Sequence, residues 1–600
     1  MVVAPTKDAG PDTVDPLAPF VEEILTGLVD SLARLGTAML PEVVAGQLNL
    51  DGGPDGDAAY PAHRAAAMAK VAPPEFAQRL AAGFPKSARV RSAIAKGAYV
   101  NFVLDPEELT RRTVGGVLAR GSEYGRWPVV GRPGCVEHTS ANPTGPFHIG
   151  RVRNAIIGDT VARVVRAAGT AVTTQYYVDD MGRQATLITW IWSKPRAEWP
   201  EPVRAAVEGA EIPGEKPDAY RGRPYPAVSA FVKEHPEARD EVGALIREVE
   251  SGTPPPQHRE LANAILGGML ESLARLDIRF DEFVWESDFL RDGSVERVLE
   301  RMRHAPHAVR EENGAWAIDT AGYGLPKEST KVVFQRADGT SLYVLRDVAY
   351  HLAKFARFDR VVDVLGQDHQ LHARTLNALL TEIGEHRTPS YLIYQDITVP
   401  DGGRMSTRGG SAVWLDQLLA EALDRARREV LARREDLPES ETERIAESVA
   451  TGAIRYHIVR VAPEKPVVFR WEDALSFEGR SGPFVQYSYA RASSVLRKAG
   501  TSDGGYPFDP GQLAHVEERA LVRLLARFPR VVSDAARTLH VQAVAGYAHD
   551  LADQFNRFYH AVPVLRSGVE RESRIALVAA VRQTLGNALE LLGIARLETM

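Results

Sequence analysis

The stretch Glu137–Arg153, EHTSANPTGPFHIGRVR, places a histidine and a glycine where a strand should turn into a helix. Just upstream, Cys135, Val136 and Glu137 read as a short buried strand, and Asn142-Pro143-Thr144-Gly145-Pro146 reads as the turn. From Arg151 to Ala168 the residues Ile156, Ile157, Val161, Val164, Val165 and Ala168 fall on one helical face, and Gly169 ends the run. A helix N-terminus gathers unpaired amide N–H groups and the positive end of the macrodipole, so it attracts anions. His148 at that point predicts an imidazole aimed at a phosphate. Gly150 leaves room for a base against the backbone.

Two later segments give the first one meaning. Gly403–Gly410 reads GRMSTRGG, and Gln486–Arg491 reads QYSYAR. In this order, the three resemble the HIGH motif, the KMSK loop and the opening of the anticodon-binding helices of class I aminoacyl-tRNA synthetases. Their flanks are similar to the arginyl family, in its archaeal-type branch. The resemblance implies an α/β Rossmann-like class I catalytic domain with an N-terminal α/β module and a C-terminal all-α anticodon-binding bundle. It implies ligation of L-arginine to tRNA(Arg) with ATP through an arginyl-adenylate, releasing AMP and diphosphate. Two alternatives stand beside it: a paralogue supplying arginyl-tRNA or activated arginine to specialised metabolism, and a catalytically dead tRNA-binding protein.

The same resemblance distributes roles over the residues. His148, Arg151, Arg404 and Ser406 take the catalytic positions. ATP falls to Ala141, Asn142, Pro143, Thr144, Gly145, Pro146, Phe147, His148, Ile149, Gly150 and Arg151, with Gly366, Asp368, His369, Met405 and Ser406. Glu137, Ser140 and Asn142 face the amino-acid end of the arginine pocket, Tyr343 and Asp347 its guanidinium side, and Tyr177, Asp179 and Gln184 the same wall. Asn101, Phe102, Gln486, Tyr487, Tyr489 and Arg491 are assigned to tRNA. ATP and Mg2+ are the expected cofactors.

Arginine needs a carboxylate for its guanidinium, and Tyr343 and Asp347 are four apart in SLYVLRDVAYHLAKF, so a helix puts them on one face. Four positions depart from the common pattern. Arg151 replaces the last histidine of the first motif, and a guanidinium there can hold phosphate oxygens bidentately. Asp179 stands where the family usually has asparagine. Arg404 replaces the loop's first lysine and Thr407 its last. For Arg404 two readings compete, altered competence and drift in a chain with only 12 lysines among 72 basic residues. Arg408 is positioned to share the loop's charge.

Six hundred residues exceed what one core supports and predict several domains. One cysteine, Cys135, excludes a disulfide framework and Cys-based zinc clusters, so no structural zinc is expected. A net charge of -7 argues against indiscriminate nucleic-acid binding, although a basic groove still suffices for tRNA. The first 15 residues lack the order of a signal peptide, and no apolar run is long enough to cross a bilayer. A cytoplasmic monomer without membrane association is expected.

Along the chain, residues 16–104 read as an α/β module with an amphipathic stretch Phe20–Leu35 and a strand Ala98–Val103; the resemblance gives this module the tRNA elbow. Residues 105–413 alternate strand and helix as a parallel sheet requires, with Ala171–Val178 and Arg360–Leu365 as strands and a proline-rich, partly helical insertion at about 194–260. Residues 414–600 read as a helical bundle. Its first stripe is Leu415, Leu418, Leu419, Leu423, Ala426 and Val430, and Ser440 with Glu443 forms a capping box for the next helix. The segments Leu521–Phe528, Val531–Phe558 and Arg574–Leu592 supply the rest, and His540, His549 and His560 are structural.

Overall fold

The computed structural model describes residues 14–53, 55–207, 215–326, 330–398, 414–500, 505–566 and 568–600, with the backbone alone at 399, 403 and 404. Five parallel strands form its centre: β1 (Gly134–Glu137), β2 (Val172–Val178), β3 (Glu282–Trp285), β4 (Arg360–Gly366) and β5 (Ser390–Tyr394). Their order is β3-β2-β1-β4-β5, so the chain reverses direction across the sheet between β1 and β4. Ligands of such sheets lie outside the carboxyl ends of the strands at this switch point.

Helix α1 (Ile149–Ala167) follows β1 and buries Ile156, Ile157, Val161, Val164 and Val165 as its spacing predicts. It begins two residues earlier than the apolar pattern suggested, because His148, in extended geometry, caps it with its own side chain. Gly169 turns the chain at φ +91°.

Ahead of the sheet, the N-terminal module pairs Ala58–Pro61, Tyr99–Leu104 and Val90–Lys96 as an antiparallel sheet beneath the helix Ala18–Arg34. The proline-rich insertion is more helical than its composition implied. Pro254-Pro255-Pro256 starts α2 (Pro256–Arg275), with Pro256 in the first turn where its missing N–H costs nothing. Trp199, Val203, Val228, Val232 and Val242 of the insertion form a core with Leu187, Trp190 and Ile191 of the helix Arg183–Trp192 before it. An antiparallel trio, Ala308–Arg310, Trp316–Asp319 and Lys331–Gln335, has no counterpart in the sequence reading.

Helix α3 (Tyr343–Arg357) precedes β4, and α4 (Gln370–Glu382) follows it. After Trp414 the chain is mainly helical, with α5 (Leu415–Arg433), α6 (Glu439–Val459), α7 (Gly482–Ala499), α8 (Val516–Thr538), α9 (Gln542–Ala561) and α10 (Arg571–Leu591), and the short strand Val467–Val468 pairs with Ile397–Val399. Two expectations are corrected here. The capping box at Ser440 and Glu443 is not formed, because the N-cap is Pro438, two residues before Ser440, and its carbonyl accepts from the Glu441 and Thr442 N–H groups. Val531–Phe558 is not one segment: α8 runs through Pro529 and ends at Leu539, whose φ of +60° separates it from α9. Pro529 cannot donate to the Leu525 carbonyl four residues back, and the Tyr124 hydroxyl donates to it instead at 2.7 Å.

Candidate active site

Beyond β1 the backbone makes a strained turn, with Thr139 at φ 72° and Ser140 at φ 39°. Such conformations persist where neighbours over-determine them. The Thr139 N–H donates to Asn154 Oδ1 at 2.7 Å, and Asn154 Nδ2 donates to the Val364 carbonyl at 2.9 Å. Ser140 Oγ donates to Glu137 Oε1 at 2.9 Å and accepts from the Tyr177 N–H at 3.1 Å. The turn is thereby tied to β1, β2, β4 and α1 at once.

His148 Nδ1 accepts the Gly150 N–H at 3.0 Å. A neutral ring so held carries its proton on Nε2, and this atom is buried with no partner among the described residues. Burial, and then the nearby Arg151 cation, hold His148 below the ordinary histidine range. Trp414 meets the ring edge-on at 5.9 Å. At Gly150 any Cβ would lie 3.0 Å from His148 Nδ1, a contact tighter than ordinary packing. Arg151 is exposed at the mouth.

The opposite wall comes from α3. Asp347 Oδ2 and His372 Nε2 share a hydrogen bond at 2.5 Å, and the exposed ring of Tyr343 stacks on His372 with centroids 5.8 Å apart. Arg346 pairs with buried Glu286. Burial, only partly countered by Arg346, pushes the Glu286 carboxyl well above the usual range. Beneath them Lys354, fully buried, pairs with Asp363 at 2.7 Å and with Glu137, while His351 Nε2 bonds Asp363 Oδ2 at 2.9 Å. Burial works against charge at Lys354 and Asp363. Their mutual attraction outweighs it, raising the lysine and depressing the aspartate. Tyr350 stacks on Tyr177 at 4.6 Å, and the Tyr177 hydroxyl is buried without a partner among the described residues. Asp179 accepts from Asn142 Nδ2 at 3.0 Å and from the Gly182 N–H at 2.8 Å.

Both walls face one cleft of 2450 Å³, lined also by Gln184, Gly366, Asp368 and His369. It is this cleft that brings the expected arginine and nucleotide residues together. Pro143 and Ile149 are corrections: both are buried and neither lines the cleft, so they support the loop. Phe147 belongs to the core, and its carbonyl accepts from the Leu415 N–H at 2.8 Å. Arg404 is described by its backbone alone, opposite Thr398 in a small antiparallel pair. Met405, Ser406, Thr407 and Arg408 lie outside the described residues.

The expected tRNA residues divide. Phe102 is buried in the N-terminal core against Phe84, at 5.0 Å between rings. Gln486 is buried, its amide donating to the Ser448 and Ala595 carbonyls. Tyr489 is buried and donates to Glu598 Oε1 at 3.0 Å. These three are corrected to structural roles, because none offers a surface to a nucleic acid. Asn101 is partly exposed. Tyr487 and Arg491 line a second groove of 1060 Å³ together with Arg425, Arg428 and Arg433.

Glu286, Arg346, Tyr350, His351, Lys354, Asp363, His372 and Tyr391 also line or underlie the cleft and were missed. For three of them the signal was present: residues 343, 347, 350, 351 and 354 continue one helical face. His372 lies on another helix and had no local signal.

Known proteins share this sequence pattern and fold. Residues 117–208 and 225–471 match the class I (R) tRNA synthetase catalytic domain, and residues 485–600 match the DALR anticodon binding domain. The arginine–tRNA ligase of Methanothermobacter thermautotrophicus is 45% identical over 84% of this chain and 86% of its own. That of Methanocella arvoryzae is 40% identical over 90% and 92%. The solved Thermus thermophilus arginyl-tRNA synthetase superposes with a TM-score of 0.81 at 29% identity, covering 96% of this chain and all of its own. Fold, cleft and matches define a class I aminoacyl-tRNA synthetase with an ATP-binding catalytic domain. Within that class, the chain belongs to the arginine–tRNA ligase family.

Proposed function

We propose that the cleft activates L-arginine with ATP and passes it to tRNA(Arg). The arginine carboxylate attacks the α-phosphorus, the bond to diphosphate breaks, and a ribose hydroxyl of the terminal adenosine then displaces AMP from the adenylate. Neither step needs a protein nucleophile, so catalysis is positioning plus stabilisation of charge. The guanidinium lies against Asp347 and Tyr343, the α-ammonium against Glu137, Ser140 and Asn142, and the nucleotide along Gly150 with its base toward Gly366, Asp368 and His369. The observation carrying this reading is the His148 Nε2 donor, buried, oriented and unpartnered, in the same cleft as Asp347. It donates to a phosphate oxygen, and Arg151 adds a bidentate cation.

Among the described residues no group of three or more His, Cys, Asp or Glu side chains could hold a metal. We assign magnesium to the ATP phosphates, where it supplies charge neutralisation. Asn101 of the N-terminal module and Tyr487 with Arg491 of the C-terminal groove are proposed tRNA contacts. We place the protein in the cytoplasm as a monomer; among the described residues no helix is long and apolar enough to cross a membrane.

Retention of His148 and Gly150 speaks against a dead tRNA binder, which has no use for an oriented phosphate donor. The test is charging by purified protein with arginine, ATP and tRNA(Arg). Arginyl-tRNA should form, and His148→Ala should slow it by about 10²-fold to 10³-fold, the usual loss for one transition-state donor. Absence of charging across all arginine isoacceptors would refute the proposal.

A further inference from the structure

Asp347 differs from its neighbours in what answers its charge. Glu137 is paired with Lys354 and Glu286 with Arg346, while Asp179 is held by an amide and a backbone N–H. Asp347 Oδ2 instead meets His372 Nε2, from the start of α4, and no described residue bonds Oδ1. Both side chains keep partial exposure, 22% for Asp347 and 28% for His372, so the contact sits at the cleft surface. On the α3 side, His351 bonds the Asp347 backbone carbonyl at 2.8 Å and leaves the carboxylate alone.

One histidine ring here serves two residues. Burial works against charge on His372, the hydrogen bond to Asp347 outweighs it and raises the ring above the ordinary histidine range, and Nε2 donates to one carboxylate oxygen. The other oxygen stays free for a cation. The same ring supports Tyr343, stacked on it with the planes 28° apart, so one side chain sets the position of both residues that face the guanidinium.

We infer that His372 is a positioning residue for arginine specificity: it orients the Asp347 carboxylate and carries the Tyr343 ring, so that an arriving guanidinium meets both in register. The inference rests on Asp347 as the guanidinium acceptor, and its test separates the two claims.

The experiment is steady-state charging by the full-length protein, varying arginine and ATP in turn, with His372→Phe, His372→Gln and Asp347→Asn. Phenylalanine keeps a ring for Tyr343 and removes the N–H; glutamine restores a donor at the reach of Nε2. His372→Phe should raise the arginine KM about tenfold, as loss of one charge-assisted hydrogen bond does, and leave the ATP KM and kcat within about twofold. His372→Gln should return the arginine KM to within about threefold of the parent. Two results overturn the inference while sparing Asp347: a parental arginine KM in His372→Phe when Asp347→Asn raises it, or equal damage to both KM values that glutamine does not repair. An arginine KM unmoved by Asp347→Asn would overturn the underlying reading and this inference with it.

Discussion

His148 Nδ1 accepts the Gly150 amide proton at 3.0 Å, and that bond decides which ring nitrogen faces the cleft. Because Nδ1 is committed as an acceptor, the neutral ring must carry its proton on Nε2, ready to donate to a phosphate oxygen. Gly150→Ala would set a methyl 3.0 Å from Nδ1, tighter than ordinary contact, and the ring must shift by a few tenths of an ångström. Adenylate formation should fall by about tenfold or more, approaching loss of the donor itself, while tRNA affinity stays at the parental value. Arginine-dependent pyrophosphate exchange with tRNA present, set beside tRNA binding, checks this; an unchanged exchange rate would show that the ring's approach does not matter.

Two buried histidines that do not line the cleft make the fold sensitive to acid. Burial is the main cause holding His138 and His457 at about 4. Both stay neutral in the folded protein and protonate near 6.5 when it unfolds. Their contribution is complete above pH 6.5 and is lost as pH falls from there to about 4, by roughly 3 kcal/mol each at ~1.4 kcal/mol per pH unit. His457→Gln can still donate to the Val468 carbonyl, which His457 Nε2 meets at 3.0 Å, but does not titrate. Melting temperature followed from pH 7 to 4.5 should fall less steeply in the variant than in the parent. Parallel curves would remove His457 from the account.

The Tyr124 hydroxyl answers the one carbonyl that Pro529 leaves open in α8. Tyr124→Phe keeps the ring and orphans that buried acceptor. A loss of about 1 to 3 kcal/mol follows, visible as a lower Tm of the full-length protein with charging at 25 °C unaffected. An unchanged Tm would mean that another group, or water, satisfies Leu525.

Much of this was legible in the sequence, and the failures have physical causes. The alternation of strand and helix, the turn at Asn142–Pro146 and the apolar face of α1 are local patterns, and the structure keeps them. The placing of His148 and Asp347 on one cleft was legible through motif and spacing, because each is read from its own short segment. Phe102, Gln486 and Tyr489 were misplaced because an aromatic or amide looks the same in sequence whether it faces solvent or a core; burial is decided by packing partners far along the chain. Gln486 bonds a carbonyl 109 residues away, and no local pattern encodes that. His372 escaped for the same reason: it meets Asp347 only after β4 returns the chain beside α3. Pro529 reads as a helix breaker, and only a tyrosine 405 positions earlier shows why the helix continues.

Selection of arginine by its charge is decided by Asp347→Asn, with arginine and citrulline compared in steady-state charging. The substitution keeps the shape and removes the charge facing the guanidinium. Breaking such a pair costs about 3 to 5 kcal/mol when the remaining cation is left uncompensated. The kcat/KM for arginine should drop by more than about two orders of magnitude, at ~1.4 kcal/mol per decade, while that for citrulline, a neutral isostere, should fall far less. An equal fractional loss for both substrates would contradict it, leaving Asp347 as a support of the fold and not the reader of the guanidinium.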